Sequence, residues 1–294
     1  MQKNKLSLTN LDKIYFPKEK ITKGDVIAYY DKIAPFILPY LKDRPQSLHR
    51  HPNGIAGESF FQKDVGEMPP DWVRTEKIYS ESNKKYLHYL FISAKPSLLY
   101  AANLGCIEMN PWFSTFKHLD KPDYLVLDLD PENIDFKYVV EVALSLHKLL
   151  DKIGARNYCK TSGARGLHIY VPLGAKYTYK QAKQFTHLIA MIAAKQLPKI
   201  VSLERHPAKR QRKVYIDYLQ NAKAQTLACP YSLRPKPGAT VATPLEWKEV
   251  KPGLDPKKFN IRTIFPRIKK HGDLIRPILG KGVNLKKALS RLPH

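Results

Sequence analysis

Two aspartates, Asp128 and Asp130, stand two residues apart in YLVLDLDPENID, at the end of an otherwise apolar run. Side chains at positions i and i+2 of a strand point to the same face, so the two carboxylates project together and repel each other. Divalent cations relieve such repulsion, and Mg²⁺ and Mn²⁺ prefer hard oxygen ligands. The pair alone is equally compatible with an ordinary strand that leaves into a turn, because Asp-Pro commonly begins turns.

A third carboxylate, Asp217, lies in KVYIDYLQN among apolar and aromatic residues. An aspartate inside such a run is costly unless another group pairs with it. Three carboxylates from two strands could hold two metal ions a few ångströms apart, which is the arrangement used in phosphoryl transfer. The sequence therefore indicates a two-metal site.

The segment CKTSGARGLHIYVPL lies between the two acidic strands. Ser162, Gly163 and Gly166 predict a tight turn, with Arg165 inside it and His168 on the strand that follows. Backbone N–H groups, a hydroxyl, a guanidinium and an imidazole meet there, and together they suit a triphosphate. A tight hairpin that carries a surface arginine is the alternative interpretation.

Further cationic and polar residues flank these segments. Gln220 and Arg234 follow Asp217, and Lys13 and Lys23 lie on either side of a proline-containing turn in NLDKIYFPKEKITKGDV. Lys23 opens a predicted helix, whose N-terminal N–H groups also favour an anion. The two lysines could therefore clamp a terminal phosphate, or they could simply be solvated.

Phe60 and Phe61 are adjacent in GESFFQKD. Neighbouring side chains of a strand point to opposite faces, so only one of the two can face the core. The other is then exposed or stacks on a base, a contact worth about 1–3 kcal/mol.

The overall charge favours a polyanionic partner. The chain has 294 residues with 50 Lys and Arg against 26 Asp and Glu, a formal net charge of +24. Such an excess in a folded chain most often serves nucleic acid, although a generic solubilising surface is the alternative. With 43% hydrophobic and 11% aromatic residues, the composition excludes disorder for most of the chain.

Several other classes of protein are disfavoured. No apolar run approaches the roughly 20 residues of a membrane span, and the N-terminus lacks the apolar stretch of a signal peptide, so we expect a soluble, cytoplasmic protein. Cys106, Cys159 and Cys229 are odd in number and form no C-x-x-C pair. They argue against a disulfide framework or a zinc module, and we expect buried or incidental thiols.

Alternating strands and helices must position these residues. Apolar periodicity predicts a helix beginning near Thr22, helices over 137–153 and 178–196, and strands over 86–92, 124–129, 167–171 and 213–219. This alternation predicts an α/β or α+β fold. Residues 248–294 hold 13 Lys and Arg against 3 Asp and Glu, a net charge of +10, with frequent proline. We expect this segment to wrap the surface as loops and short helices.

The motifs LVLDLDP, TSGARGLHIYVPL and KVYIDYLQN…PYSLR, in this order, resemble the polymerase domain of bacterial ligase D. That domain belongs to the archaeo-eukaryotic primase superfamily and serves non-homologous end joining. The resemblance runs from about Asn10 to the C-terminus. It implies a two-lobed primase fold, with an RNA-recognition-like sheet around a central catalytic cleft. It also implies one domain over 1–294, made of an N-terminal part to about 115, a catalytic core over about 116–245 and a basic wrap over about 246–294.

The resemblance also implies roles for individual residues. The metal-binding and catalytic carboxylates are Asp128, Asp130 and Asp217. The residues matching nucleotide-binding positions are His49, Arg50, Ser162, Arg165, His168, Gln220 and Arg234. The residues matching the pocket for a downstream 5′-phosphate are Asn10, Lys13 and Lys23, and those matching the template-stacking aromatics are Phe60 and Phe61. One departure is Asn110 in IEMNPWFS, where the family usually has His. An amide can donate a hydrogen bond but cannot carry a charge or a proton.

The implied activity is that of a primase-polymerase, which extends primer 3′ ends and fills gaps with Mn²⁺ or Mg²⁺ and nucleoside triphosphates, favouring ribonucleotides. Its implied partners are DNA with 5′-phosphorylated gaps or ends, Ku and a DNA ligase, in the cytoplasm at the nucleoid. A two-metal nuclease is an alternative, but it does not need the Ser162–His168 turn. A non-catalytic DNA end-binding module is another, and a replicative primase small subunit, which commonly carries zinc, is a third. No K-x-D-G ligase motif is visible, so we expect a stand-alone protein or one module of a longer one.

Overall fold

The computed structural model describes residues 6–292, which form six α-helices and 13 strands. The helices are α1 (Lys23–Leu41), α2 (Lys95–Asn103), α3 (Phe136–Lys152), α4 (Tyr179–Gln196), α5 (Ile264–His271) and α6 (Leu285–Leu289). The strands of the N-terminal half are β1 (Ile14–Phe16), β2 (Ile21–Thr22), β3 (Leu48–Arg50), β4 (Phe60–Gln62), β5 (Thr75–Ser80), β6 (Lys85–Leu90) and β7 (Cys106–Glu108). Those of the second half are β8 (Tyr124–Pro131), β9 (Tyr158–Thr161), β10 (Leu167–Pro172), β11 (Val201–Ser202), β12 (Val214–Asp217) and β13 (Pro244–Leu245).

The second half is built on a six-stranded mixed sheet in the order β11-β12-β8-β10-β9-β13. Only β11 and β12 run parallel, and the other pairs are antiparallel. Strand β8 lies inside the sheet, and its alternate residues face different surroundings. Leu125, Leu127 and Leu129 pack with α3 and α4, whereas Val126 packs with the core of the N-terminal half. Asp128 and Asp130 therefore lie on the face away from these helices, because a strand has a period of two.

The N-terminal half packs around α1 and α2, with a three-stranded sheet in the order β4-β3-β7 and a separate hairpin of β5 and β6. Helix α1 begins where the sequence predicts. The Thr22 side chain accepts a hydrogen bond from the backbone of Asp25, and the Asp25 carboxylate accepts one from the backbone of Thr22. This reciprocal capping satisfies two N–H groups that would otherwise lack partners.

The predicted helices and strands are confirmed to within two residues at most ends. Helix α3 ends before Gly154, which has the positive φ of 74° that favours glycine after a helix. The three cysteines are free and buried, as expected. Within residues 6–292, no helix is long and apolar enough to cross a membrane.

The basic C-terminal segment is more than a surface wrap. It does form short helices, but Ile264, Ile268 and Ile278 are buried in the same core as α1, and Leu285 and Ala288 are buried against the sheet of the second half. The expectation that this segment lies on the surface is therefore incomplete. Its lysines and arginines alternate with apolar residues that complete both cores.

Asn221 holds the centre of β8 in place. Its side chain accepts a hydrogen bond from the backbone N–H of Val126 at 2.8 Å and donates one to the carbonyl of the same residue at 2.7 Å. Strand β12 pairs with β8 only as far as Asp128, so the Asn221 amide continues the ladder past the end of β12. The strand that carries both aspartates therefore depends on one buried side chain.

We expect Asn221→Ala to lower the free energy of unfolding by roughly 2–4 kcal/mol, because it leaves the buried N–H and C=O of Val126 without partners. Thermal unfolding followed by circular dichroism measures this loss. Asn83→Ala, in the exposed turn between β5 and β6, is the matched control and should stay near wild type. Equal stabilities for the two variants would show that Asn221 does not support β8.

Candidate active site

The three aspartates singled out from the sequence lie side by side. Asp128 of β8 is directly opposite Asp217 of β12, and Asp130 follows two residues later on the same face of β8. Asp128 is only 4% exposed. The Asp217 carboxylate accepts hydrogen bonds from the backbone N–H of Leu219 at 2.9 Å and from the Tyr215 hydroxyl at 3.2 Å.

The carboxylates repel one another strongly. Burial, followed by the charge of Asp217, raises the pKa of Asp128 from 3.8 to about 7. The charge of Asp128, followed by burial and by Asp217, raises the pKa of Asp130 to about 7. Folding therefore forces negative charges together that would separate in water. A site with this much uncompensated negative potential attracts cations.

A row of four polar side chains crosses the sheet. Cross-strand pairing places Asp217 opposite Asp128, Asp128 opposite His168 of β10, and His168 opposite Lys160 of β9. Nε2 of His168 lies 3.2 Å from Oδ1 of Asp128. Burial, followed by the charge of Lys160, lowers the pKa of His168, so its imidazole is neutral.

Lys160 is a site residue that the sequence did not reveal. Its side chain is fully buried, and burial lowers its pKa to about 7. Among residues 6–292 its Nζ donates one hydrogen bond, to the carbonyl of Thr161 at 3.3 Å, and forms no ion pair within 4.0 Å. The sequence offers one signal for Lys160, which is that a charged residue stands in an otherwise buried strand.

The oxygen donors suit a divalent cation, but they are not yet arranged as a complete ligand set. In the part of the chain that is described, no three His, Cys, Asp or Glu side chains converge to hold an ion. Oδ1 of Asp128 is nevertheless buried and accepts no hydrogen bond there, because its 3.2 Å contact with Nε2 of His168 lacks hydrogen-bond geometry. Hard carboxylate oxygens fit Mg²⁺ or Mn²⁺.

The predicted turn between β9 and β10 lies directly on β8. A Cβ at Gly166 would be 2.1 Å from the carbonyl oxygen of Leu129, the residue between the two aspartates. The Ser162 hydroxyl accepts hydrogen bonds from the backbone N–H groups of Ala164 at 3.1 Å and Gly166 at 3.0 Å. Serine thus closes the turn, and glycine lets it reach the carboxylates.

Two arginines flank this turn. Arg165 is exposed at its tip, as the hairpin interpretation also expected, and its charge partly offsets the rise in the pKa of Asp130 that Asp128 chiefly causes. Arg234 is largely buried. Its Nη1 donates to the carbonyl of Ser162 at 2.7 Å, and its Nε lies 2.8 Å from Oε2 of Glu108. Glu108, from β7, is a second residue that sequence reasoning missed.

A cavity of about 290 Å³ opens beside these groups, and its lining includes Phe61, Glu108, Asn110, Gln220 and Arg234. Gln220 also donates to Oδ2 of Asp217 at 3.3 Å. Asn110 is buried, and its amide lies 3.4 Å from the carbonyl oxygen of Glu108. The position at which this chain departs from the family pattern is therefore a wall of the cavity.

His49 and Phe61 form a stacked pair at the side of the cavity. Their ring centroids are 4.1 Å apart with the planes 10° from parallel. His49 lies opposite Glu108 across the pairing of β3 with β7. The structure thus brings His49 and Phe61 to the wall that carries Glu108 and Arg234.

Arg50 and Phe60 form a second pair. The Arg50 guanidinium lies 5.3 Å from the centroid of the Phe60 ring, and Arg50 also donates to the carbonyl of Leu104 at 2.9 Å. Within residues 6–292, no hydrogen bond or ion pair connects Arg50 with the aspartates or with Arg234. Because neighbouring residues of a strand face opposite ways, Arg50 contacts Phe60 and Leu104 on the other face from His49, and its place near the nucleotide stays a prediction.

Both phenylalanines are exposed. Phe60 is 47% and Phe61 is 60% accessible. The prediction that one of the two rings could face the core was wrong. Strand β4 lies at the edge of a three-stranded sheet, where both side chains stay accessible. Two aromatic rings are thus available for stacking.

The residues of the predicted phosphate clamp lie close together. Lys23 is only 4% exposed, and its ammonium donates to the carbonyl of Thr9 at 2.7 Å. Burial, followed by the charge of Lys13, lowers the pKa of Lys23. Lys13 donates to the Asn53 side chain, and the carbonyl of Asn10 accepts from the backbone of Lys13 at 3.1 Å. The interpretation as two solvated lysines is wrong for Lys23, and Asn53 is a member that the sequence did not indicate.

The raised pKa values predict how pH acts on the metal-free protein. The folded state binds protons more tightly than the unfolded chain, so this contribution to stability is fully present below about pH 4 and is lost as pH rises through 7. Asp128→Asn should therefore stabilise the metal-free protein at pH 8 by on the order of 2 kcal/mol, because one unit of pKa shift corresponds to about 1.4 kcal/mol.

Thermal unfolding at pH 5 and pH 8 with a chelator present measures this gain, which should be smaller at pH 5. Asp71→Asn, at an exposed position, is the control that should match wild type at both pH values. A lower melting temperature for Asp128→Asn at pH 8 would contradict the repulsion between the carboxylates.

Comparisons with known proteins identify the family of this chain. The family model described as the primase-polymerase domain of LigD matches residues 22–275. The chain is 40% identical over 270 residues to the bifunctional non-homologous end joining protein LigD of Bacillus subtilis, covering 91% of this chain and 43% of that protein. It is 32% identical over 279 residues to the multifunctional LigD of Mycolicibacterium smegmatis, covering 93% of this chain and 36% of that protein.

A solved structure, the polymerase domain of Mycobacterium tuberculosis ligase D in complex with DNA, superposes with a TM-score of 0.87 and 29% sequence identity. The match covers 96% of this chain and all of the chain in that solved structure. The chain spans less than half the length of the curated relatives above. The mixed α/β fold expected from the motifs is confirmed. The chain belongs to the LigD primase-polymerase domain family, whose members are nucleotidyltransferases of the archaeo-eukaryotic primase type.

Proposed function

We propose that this chain is a DNA-dependent primase-polymerase that extends primer 3′ ends and fills gaps at DNA breaks, favouring ribonucleotides. The observation that carries the proposal is the register of Asp217, Asp128 and His168, which puts a carboxylate cluster directly beside the Ser162 turn. Nucleotidyl transfer needs such a pairing, because metal-binding carboxylates and phosphate-binding groups must act on the same triphosphate. Non-homologous end joining is the process named for its relatives, and gap-filling repair uses the same chemistry.

Asp128, Asp130 and Asp217 would hold two Mn²⁺ or Mg²⁺ ions. When bound, such ions activate the primer 3′-hydroxyl and neutralise charge on the departing pyrophosphate. Arg165 and Arg234 provide guanidinium groups for the triphosphate.

The neutral imidazole of His168 keeps the buried side of Asp128 free of a competing positive charge. In the turn that begins at Ser162, most backbone N–H groups bond within the turn, but those of Gly163 and Arg165 form no hydrogen bond among residues 6–292 and can donate to a phosphate. Because these groups are already fixed by the sheet and the turn, they need little reorganisation when charge develops on the phosphates.

DNA binding follows from the other two assemblies. Asn10, Lys13 and Lys23 form the proposed pocket for a downstream 5′-phosphate, in which the two ammonium groups have no carboxylate partner within 4.0 Å among residues 6–292. Phe60 and Phe61 offer exposed rings on which template bases would stack. We propose Ku and a DNA ligase as partners, and the cytoplasm, at the nucleoid, as the place of action.

The alternatives explain fewer of these features. A two-metal nuclease has no use for the Ser162–His168 turn against the carboxylates, and a DNA end-binding module has no use for buried, mutually repelling aspartates. A replicative primase small subunit commonly carries zinc, whereas the cysteines here are free and buried. Family membership favours the polymerase.

We expect Asp128→Ala and Asp130→Ala to lower primer extension on gapped, 5′-phosphorylated DNA by at least about 100-fold, or about 2.7 kcal/mol of transition-state stabilisation. The assay compares ribo- and deoxyribonucleotides with Mn²⁺ and Mg²⁺. Glu141→Ala, at an exposed position of α3, is the control and should extend normally. Full activity in the two aspartate variants would refute the mechanism, and shortening of DNA with metal but no nucleotide would favour the nuclease.

We expect Lys23→Ala to weaken binding to 5′-phosphorylated gapped DNA by about tenfold or more and to leave binding to the unphosphorylated gap nearly unchanged, because a charge-assisted contact to the terminal phosphate is lost. Fluorescence anisotropy measures both affinities. Lys13→Ala tests the same pocket with an exposed residue, and Lys18→Ala is the exposed control. Equal losses on the two substrates would mean that the lysines contact DNA elsewhere.

A further inference from the structure

One ion pair connects the N-terminal sheet with the turn beside the carboxylates. Glu108 ends β7, and Arg234 belongs to the segment that follows β12. Nε of Arg234 lies 2.8 Å from Oε2 of Glu108, and the two side chains are 18% and 9% exposed. On its other side, Nη1 of Arg234 donates to the carbonyl of Ser162 at 2.7 Å. The guanidinium is therefore contacted from two directions by two different parts of the fold: Nη1 makes a hydrogen bond, whereas Nε makes an ion-pair contact without hydrogen-bond geometry.

The stem of Arg234 has little freedom to move. A Cβ at Gly163 would be 2.6 Å from Cγ of Arg234, so the stem passes directly over a glycine with a φ of 72°. The backbone N–H of Arg234 donates to the carbonyl of Thr240 at 2.8 Å, and the Thr240 hydroxyl donates to the carbonyl of Gly163. Glycine thus brings the turn and the arginine together, and hydrogen bonds fix the backbone on both sides.

The guanidinium still has donors to spare. It carries five N–H groups in one plane. Glu108 is beside Nε and Ser162 occupies Nη1, while among residues 6–292 no hydrogen bond or ion pair is formed by Nη2. Arg234 also lines the cavity that contains Gln220. A phosphate oxygen in that cavity can be bound by the remaining edge without breaking the two existing contacts.

A second cation, Lys160, is buried near Arg234, and Glu108 is the carboxylate that pairs directly with Arg234. Burial, followed by the charge of Arg234, lowers the pKa of Lys160. Two cations that repel each other in a buried site would drive the more mobile one outward. The Glu108 carboxylate opposes that movement for Arg234, whereas Lys160 has no carboxylate partner within 4.0 Å among the described residues.

We propose that Glu108 is a positioning residue: its carboxylate holds the Arg234 guanidinium against the Ser162 turn, so that the remaining edge of the guanidinium binds the triphosphate of the incoming nucleotide. This inference rests on the proposed function, because it assigns the cavity beside Arg234 to that nucleotide. Glu108 lines the same cavity, but a carboxylate repels the phosphates and is not proposed as a ligand for them. Its effect is transmitted through the orientation of Arg234.

The test is Glu108→Gln, which keeps the shape of the side chain and removes its charge. We expect KM for the nucleoside triphosphate in gap filling to rise about tenfold or more while kcat changes only a few-fold, because the carboxylates are untouched. Kd for a fluorescent triphosphate, measured without DNA, should rise by a similar factor. Glu249→Gln is the matched control: it breaks another partly buried Glu–Arg pair, with Arg267, and should leave both values at wild type.

A double-mutant cycle separates positioning from a general structural effect. Once Arg234→Ala is present, adding Glu108→Gln should change Kd no further. Arg234→Lys should bind the triphosphate almost as weakly as Arg234→Ala, because a single ammonium cannot contact Glu108, Ser162 and phosphate together. If Glu108→Gln does not fold, Arg234→Lys serves as the test in its place.

Wild-type affinity in Glu108→Gln or Arg234→Lys would overturn the proposal, as would additive losses in the cycle. A different result would refute the proposed function itself: the wild-type chain would bind triphosphate without extending a primer.

Discussion

Electrostatic repulsion among buried carboxylates is the constraint on which the rest of the structure depends. Asp128, Asp130 and Asp217 are adjacent because two antiparallel strands hold them in register. The raised pKa values of Asp128 and Asp130 reflect the burial and the repulsion that this register imposes. Such a site persists only if the surrounding fold determines it, and strained or destabilised active sites of this kind are common in enzymes. Leucines beneath β8 and the Asn221 side chain beside it supply that rigidity.

Charges of the opposite sign come from different parts of the chain. Lys160 lies in the same cross-strand row, Arg165 is at the tip of the turn, and Arg234 is held by Glu108 from the N-terminal half. A second buried ion pair, Arg44 with Asp123 at 2.6 Å, also joins the two halves. Each of these two ion pairs joins a residue of the N-terminal half to a residue of the second half. The electrostatics of the site therefore depend on how the two halves pack together.

Local patterns in the sequence predicted much of this arrangement. A strand's period of two placed Asp128 and Asp130 on one face, and small residues between strands predicted the turn that lies on β8. Glu108 and Lys160 were not predictable in the same way. Each is a charged residue in a buried strand. Glu108 meets Arg234 only because the tertiary fold brings segments more than a hundred residues apart together, and Lys160 gains its surroundings from the sheet. Arg50 shows the same limit, because its contact with Phe60 depends on the pairing of β3 with β4.

The burial of C-terminal isoleucines and leucines has a consequence for biosynthesis. Ile264 and Ile278 complete the core around α1, and Leu285 completes the core beneath the sheet of the second half. Proteins fold during synthesis as segments leave the ribosome, and incomplete cores expose apolar surface. Neither half of this chain can close its core until residues 264–288 have emerged. The two halves therefore complete their cores together, once this shared segment is available to both.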